Sequence, residues 1–320
     1  MLELTIPLKE SFNKSALDDL TLWFKEHPSN ASWYVISDYC FGDETKKNDA
    51  VCFSILLNHD KIANIKEYIN HFAPKDIKST RSVSPEFLRY INSPVIFNVT
   101  FLFERDSKLL KEYSTKKNME NFLPAFKSFV QQIDKNSSFE EGYVDSVLKR
   151  VNTFENDFKK NNFNKKLSRH IYYVATFASL IFHYLTIVKS PTHIQWVSDR
   201  DALSWRYDGF VYDLAYFMFL SEYSSELLKN DSTEKTILNK PKFIFPIPEK
   251  SGDNFYDELV RLPDYLVGTL ADLNIENNEF SKDKYYTILY YSLLNSKNHA
   301  VFQLYGNGEK LSTRRLAFKA

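Results

Sequence analysis

The chain has 320 residues, 43% of them hydrophobic and 16% aromatic, enough apolar material for one large core or two smaller ones, which excludes a disordered protein. Forty-one basic residues balance 41 acidic ones, so a bulk positive potential of the kind that coats nucleic acid is excluded, and any basic groove must be local. Only seven glycines are present, and the one close pair, Gly306-Asn-Gly308, lacks the lysine and following helix of a P-loop, which leaves nucleoside triphosphate hydrolysis unsupported.

In chain order, Leu2 to Pro7 reads as a short strand, and Leu17 to His27 as a helix with Ser15 as its N-cap. The β-rich runs Trp33 to Ser37 and Ala50 to Leu57 flank a polar stretch and suggest an antiparallel hairpin. A helix over Lys61 to Phe72 and a polar loop lead to a third strand, Val95 to Phe103, which completes a meander. Phe139, Tyr143, Val147, Val151, Phe154 and Phe158 recur at helical spacing and predict a helix that docks an aromatic face on the core.

Ile171 to Val188 has no Asp, Glu, Lys or Arg and reaches the lower length limit of a membrane span, but its Tyr, Thr, Ser and His183 favour a buried core helix. His193 to Ser198 is a fourth strand and Lys242 to Pro246 a fifth, separated by a helix over Tyr207 to Lys229, an alternation that implies parallel addition. Next, a leucine stripe marks a helix over Phe255 to Leu273, with a kink or restart expected at Pro263. A Tyr-rich helix from Asp283 to Leu294 and a strand from Ala300 to Tyr305 follow, with no internal repeat or low-complexity linker along the way.

Cys40 and Cys52 are the only cysteines and make no disulfide scaffold, and the N-terminus has no basic run leading into an apolar stretch. A cytoplasmic protein without a membrane segment is the expectation. Two basic runs, Lys159, Lys160, Lys165, Lys166 and Arg169, and Lys310, Arg314, Arg315 and Lys319, are read as solvated faces.

The acids carry the chemistry. Asp38 ends the first β-rich run, Asp199 ends the fourth strand, and Asp264 lies in the late helix, off its leucine stripe. Carboxylates gathered from distant parts of a chain are what a site for Mg²⁺ or Mn²⁺ requires. Asp43, Glu44 and Asp201 are further candidates for a fourth ligand or a water-positioning group. Glu44-Thr-Lys46 offers a second arrangement, the Glu-x-Lys element of restriction-type sites, but it falls in a polar stretch that looks like a turn. Neither a Gly-x-Ser-x-Gly elbow nor a His-Glu-x-x-His motif occurs. Trp196 and Trp205 bracket Asp199, with core packing preferred to base stacking.

The element order and the placement of these acids resemble the ribonuclease H-like superfamily. Within it, the chain is similar to a bacterial branch that opens with Asp-Glu-Ser-Gly and closes with a Leu-Gln-Leu-Ala-Asp-like helix. Here the opening reads Ser37-Asp-Tyr-Cys-Phe-Gly-Asp-Glu-Thr45, with Tyr39 where the second acid stands, and the closing reads Leu259-Val-Arg-Leu-Pro-Asp-Tyr-Leu-Val-Gly268, with Arg261 and Pro263 at the Gln and Ala. The resemblance implies an α/β fold with a mixed five-stranded sheet, antiparallel then parallel, in a single domain. That domain would carry an N-terminal extension (1–30), a helical insertion (about 105–165) and a C-terminal extension (about 275–320). It further implies a metal-dependent nuclease with Asp38, Asp199 and Asp264 as catalytic ligands, DNA or RNA as substrate, and a role in bacterial antiviral defence. The alternative it leaves is an inactive module of the same fold that contacts nucleic acid or a partner protein.

Overall fold

A computed structural model describes residues 2–105, 111–112, 115–134, 139–229, 240–307 and 310–319. The chain is α/β, built on one mixed sheet of seven strands in the order β5-β4-β1-β2-β3-β6-β7. Strands β1 (Ser32–Cys40), β2 (Asn48–Leu57) and β3 (Ile96–Glu104) form the antiparallel meander, while β4 (His193–Ser198) lies parallel to β1 and β5 (Lys242–Ile244) parallel to β4. The expected count of five strands is corrected to seven. β6 (His299–Asn307) joins β3 in parallel, and β7 (Lys310–Leu316) pairs antiparallel with β6. Lys-Leu-Ser-Thr-Arg-Arg-Leu is too polar to read as a strand, but an edge strand needs only one buried face and is protected from further pairing by its charges.

Strand β1 is buried on both faces, and its alternation sorts the two halves of the core. Trp33 and Val35 point into one layer, Tyr34 and Ile36 into the other. The first layer is covered by α1 (Leu2–Ser15), α2 (Leu17–Trp23), α5 (Lys116–Asp134), α6 (Tyr143–Phe158), α7 (Lys165–Lys189) and α9 (Phe210–Lys229). The second is covered by α3 (Ile62–Phe72), α4 (Pro85–Ile91), α10 (Asp257–Asp272) and α11 (Asp283–Ile288). Between α7 and α9 lies a single turn, α8 (Ala202–Trp205). Helix α7 contains the apolar run, and 89% of its most apolar 18-residue window is buried inside the fold, which makes it the central core helix. His183 and Trp196 are buried core residues.

The first expected strand is a correction of type. Leu2 to Pro7 lies in helix α1, because Leu4, Leu8, Phe12, Ala16, Leu20 and Phe24 are all buried at intervals of four, a helical period that runs on into α2. Ser15 does not cap α2; its hydroxyl donates to the Ser11 carbonyl at 2.6 Å, and the N-cap is Ala16. The helix expected over Tyr207 to Lys229 begins at Phe210, because Tyr207 and Asp208 adopt left-handed φ values of 56° and 52°. The stripe residue Phe139 precedes α6, which begins at Tyr143.

Pro263 neither breaks nor restarts α10, which is continuous from Asp257 to Asp272. The helix packs on β1 and β2 and presents Gly268 to Ile77, in a 3-10 turn over Ile77–Ser79. A methyl group at Gly268 would stand 2.6 Å from Ile77 Cγ2. Ile77 cannot retreat, since its amide donates to Asp264 Oδ2 at 2.7 Å and its carbonyl accepts from the Lys284 ammonium. Gly268→Ala should therefore cost about 1–3 kcal/mol of stability by overpacking. Urea unfolding read by tryptophan fluorescence would measure it, and an unchanged midpoint would show that the contact has slack.

Candidate functional site

Strand parity decides where the acids point. Asp38 has the parity of Ile36 on β1, and Asp199 that of Val197 on β4; Ile36 and Val197 both belong to the layer that α10 covers. The parallel pairing of β1 and β4 sets Ser37 opposite Ser198, and the Asp199 amide donates to the Ser37 carbonyl at 2.9 Å. The two aspartates thus leave adjacent strands side by side on one face, and Asp264 approaches from the helix packed over that face. Asp38, Asp199 and Asp264 line one cleft of about 300 Å³, together with Asp43, Asp76, Lys78 and Asp201.

The candidate acids differ in how much of each carboxylate is committed elsewhere. Asp201 caps α8, with its side chain accepting from the Leu203 amide at 2.9 Å in a capping box with Ser204. Asp43 accepts from the Thr45 amide and hydroxyl at 2.9 and 2.7 Å, and these bonds hold its carboxyl below its ordinary value. Both line the cleft, but both already hold backbone in place. Glu44 is exposed in the turn and is not part of the lining, a correction to its candidacy.

The Glu-x-Lys arrangement is overturned as well, because the Lys46 ammonium is fully used. It donates to the Gly268 carbonyl at 3.0 Å, to Asp272 Oδ1 at 3.2 Å and to the Tyr285 hydroxyl at 2.8 Å, which are the three protons it has. Lys46 therefore ties the β1–β2 turn to α10 and α11. Trp205 carries the Lys250 ammonium 4.8 Å above its ring.

Asp76 and Lys78, which flank Ile77, had no signal in the sequence. Their segment is polar and aperiodic, and only tertiary contacts bring it to the cleft. Tyr265 donates to the Lys75 carbonyl at 3.0 Å, Arg261 to the Ala73 carbonyl at 2.8 Å, and Lys284 to the carbonyls of Ile77 and Thr80.

Tyr39, at the position of the second acid in the opening motif, faces the other way. Its hydroxyl is held by Ser37 at 2.6 Å and Ser198 at 2.9 Å, and Ser37 also accepts from Trp196 Nε1 at 2.8 Å. This network lies beneath the α7 layer and joins β1 to β4 on the side opposite the acids. Burial pushes the Tyr39 hydroxyl far above its usual range, so it is a neutral hydrogen-bonding group.

The cleft is electrostatically frustrated. Asp38 is 6% exposed, and its carboxyl is pushed well above the ordinary range first by burial, then by Asp264 and Asp199, and by Asp76. Asp264 is raised to about 7 by burial and by Asp76 and Asp199, against the lowering effect of the Ile77 amide and Lys78. Burial, Asp201 and Asp76 raise Asp199 likewise, with the Arg200 backbone and Lys78 opposing. Carboxylates crowded in a poorly solvated space must take up protons or cations.

The oxygen-only donor set suits a hard divalent cation. Among the described residues, however, no group of three His, Cys, Asp or Glu side chains stands close enough to hold a metal ion as it is. The three predicted acids share a cleft without forming a closed ligand set.

The chain matches no family model, no curated protein and no solved structure. Function therefore has to be read from the cleft itself.

The raised carboxyls have a pH consequence with a defined sign. A carboxylate whose folded pKa lies above its unfolded value near 4 binds more protons folded than unfolded between the two, so stability falls as pH rises through that window. For Asp264 the window runs from about 4 to about 7. With a chelator present, the melting temperature of the wild type should drop across it, and Asp264→Asn, which keeps an acceptor for the Ile77 amide, should flatten the drop. Parallel profiles for the two proteins would show that Asp264 is not a frustrated group.

Proposed function

We propose that the chain is a divalent-metal-dependent phosphodiesterase of ribonuclease H-like type acting on DNA or RNA. The observation that carries this reading is the meeting of Asp38, Asp199 and Asp264, from two adjacent strands and a helix laid over them, in one cleft. The strand order supports it: the segment β3-β2-β1-β4-β5, antiparallel and then parallel, is the arrangement the resemblance implies. When bound, Mg²⁺ or Mn²⁺ supplies a water that is nucleophilic at neutral pH and offsets charge on the leaving oxygen.

The chain's own residues divide the remaining work. Asp38, Asp199 and Asp264, from two adjacent strands and the helix laid over them, would together hold the metal. Asp264 keeps Oδ1 for this role, since Oδ2 is taken by the Ile77 amide. Asp76 adds a fourth negative charge at the edge of the set, and Lys78, whose charge opposes the raised pKa of Asp199 and Asp264, is the cation placed to meet a phosphate oxygen there. The Lys46 clamp and the Tyr39 network hold the two sides of the cleft in register.

A second reading, the inactive module of the same fold, is favoured by one observation, the lack of a ready three-ligand group among the described residues. The two readings part on metal binding. If the enzyme reading holds, millimolar Mg²⁺ or Mn²⁺ at pH 7.5 should raise the melting temperature of the wild type by mass action. The same ions should support cleavage of a labelled oligonucleotide, and Asp38→Asn and Asp264→Asn should each cut the cleavage rate at least 100-fold, while Glu44→Gln should leave it within about twofold. Oligonucleotide binding with neither metal stabilisation nor cleavage would establish the module instead.

A further inference from the structure

The basic run at the start of α7 does not form a uniformly solvated face. Lys165 and Arg169 line a pocket of about 260 Å³ together with Lys111, Lys116, Lys160 and the 5%-exposed Ser168. Among the described residues, no carboxylate lines it. Lys160 is paired with Asp157 at 3.0 Å and Lys116 more loosely with Glu120 at 3.8 Å, whereas Lys165 and Arg169 have no ion pair among the described residues. Both occupy the first two turns of a 25-residue helix whose first turn contains no acid. Cations there oppose the positive end of the helix dipole, so the arrangement costs stability until an anion arrives. In a chain of zero net charge, this concentration is local and specific.

The same two turns border the acidic cleft. The His170 ring stacks on Phe41 at 3.9 Å between centroids, and Phe41 is part of the cleft lining. Lys166 lies against Gly42, where an added Cβ would meet its ammonium at 2.1 Å. The loop after β1 thus has the carboxylates on one side and the basic turns of α7 on the other.

We infer that the pocket at the start of α7 binds a backbone phosphate of a nucleic-acid strand whose neighbouring segment lies in the acidic cleft, with Lys165 and Arg169 as the anchoring cations. This rests on the phosphodiesterase reading of that cleft. The acids repel a polyanion, so a strand entering the cleft needs attraction close by, and the basic turns are one loop away. A pocket that takes a single phosphate, unlike a flat basic face, suits a strand that can bend into it, and a single strand bends far more readily than a duplex. The phosphate backbone is common to DNA and RNA, so the pocket binds either, and base identity is not read there.

The test is fluorescence anisotropy on the full chain with labelled 12-nucleotide single strands of DNA and of RNA and the corresponding duplexes, in chelator so that nothing is cut. The pocket variant Lys165→Glu/Arg169→Glu is compared with Lys310→Glu/Arg314→Glu, the same charge change on β7. The pocket variant should lose at least tenfold in single-strand affinity, and its slope of log K against log salt should shrink by about 0.7, the value for one lost phosphate contact on a single strand. The β7 variant should stay within threefold of the wild type, and thermal melting of both variants verifies that they fold.

Equal losses in the two variants, tighter binding of duplex than of single strand, or no binding by the wild type would each overturn the inference, whatever the cleavage result. Failure of the phosphodiesterase reading has a different signature: pocket-dependent binding persists, but adding Mg²⁺ or Mn²⁺ produces no cut. That outcome would keep the phosphate site and remove the enzyme.

Discussion

The structure turns on a carboxylate held inside an apolar layer. Asp38 sits on a strand whose two faces are both buried, among residues that would accept an apolar side chain at its position without complaint. Burying an unpaired charge there costs several kcal/mol, and proteins meet such a cost by protonating the group or by giving it a cation. No neighbouring lysine or arginine among the described residues takes that role. Of the two lysines that line the cleft, Lys46 sends all three of its protons to Gly268, Asp272 and Tyr285, and Lys78 acts on Asp199 and Asp264. The nearest charges are instead more aspartates, so the neighbourhood raises the cost of ionising Asp38.

Much of the second layer is arranged around keeping that cleft open and its acids in place. Helix α10 lies across β1 and β2 and brings Asp264. Gly268, one turn further on, lets Ile77 seat against the helix, and the Ile77 amide in turn orients Asp264. The same seating delivers Asp76 and Lys78, so the loop that adds charge to the cleft is fixed by the helix it modifies. Two lysines do related work without touching the chemistry: half-buried Lys46 fastens the β1–β2 turn, and buried Lys284 fastens the Ile77 segment through its carbonyls. The other layer contributes the Tyr39, Ser37, Ser198 and Trp196 network, which locks β1 to β4 and so sets the spacing between Asp38 and Asp199.

Tyr39 also gives the departure from the opening motif a physical account. In this chain the side chain after Asp38 packs on the opposite layer by strand parity, although Tyr39 still contributes to the lining of the cleft. A tyrosine that bridges two strands by hydrogen bonds is the more useful occupant. Further negative charge at the cleft comes from loop residues, Asp43, Asp201 and Asp76, rather than from the strand.

The sequence by itself determined the elements with strong periodicity and the positions of the three acids. The meander, the apolar helix, the fourth strand and its terminal Asp199 follow from apolar patterns that local burial enforces, and the parity of Asp38 with Ile36 is a property of any strand. It misled where a short window carried two periods, as at Leu2 to Pro7, whose fourfold repeat emerges only when Leu8, Phe12 and Ala16 are counted with it. It was silent where only one face of an element is buried, as in the basic edge strand β7, and where aperiodic chain is held by side chains from elsewhere, as with Asp76 and Lys78. Only the tertiary structure decided that Lys46 is spent as a clamp, that Glu44 faces solvent, and that the basic turns of α7 border the acids. These depend on which segments pack together across 100 or more residues, and no local pattern encodes that.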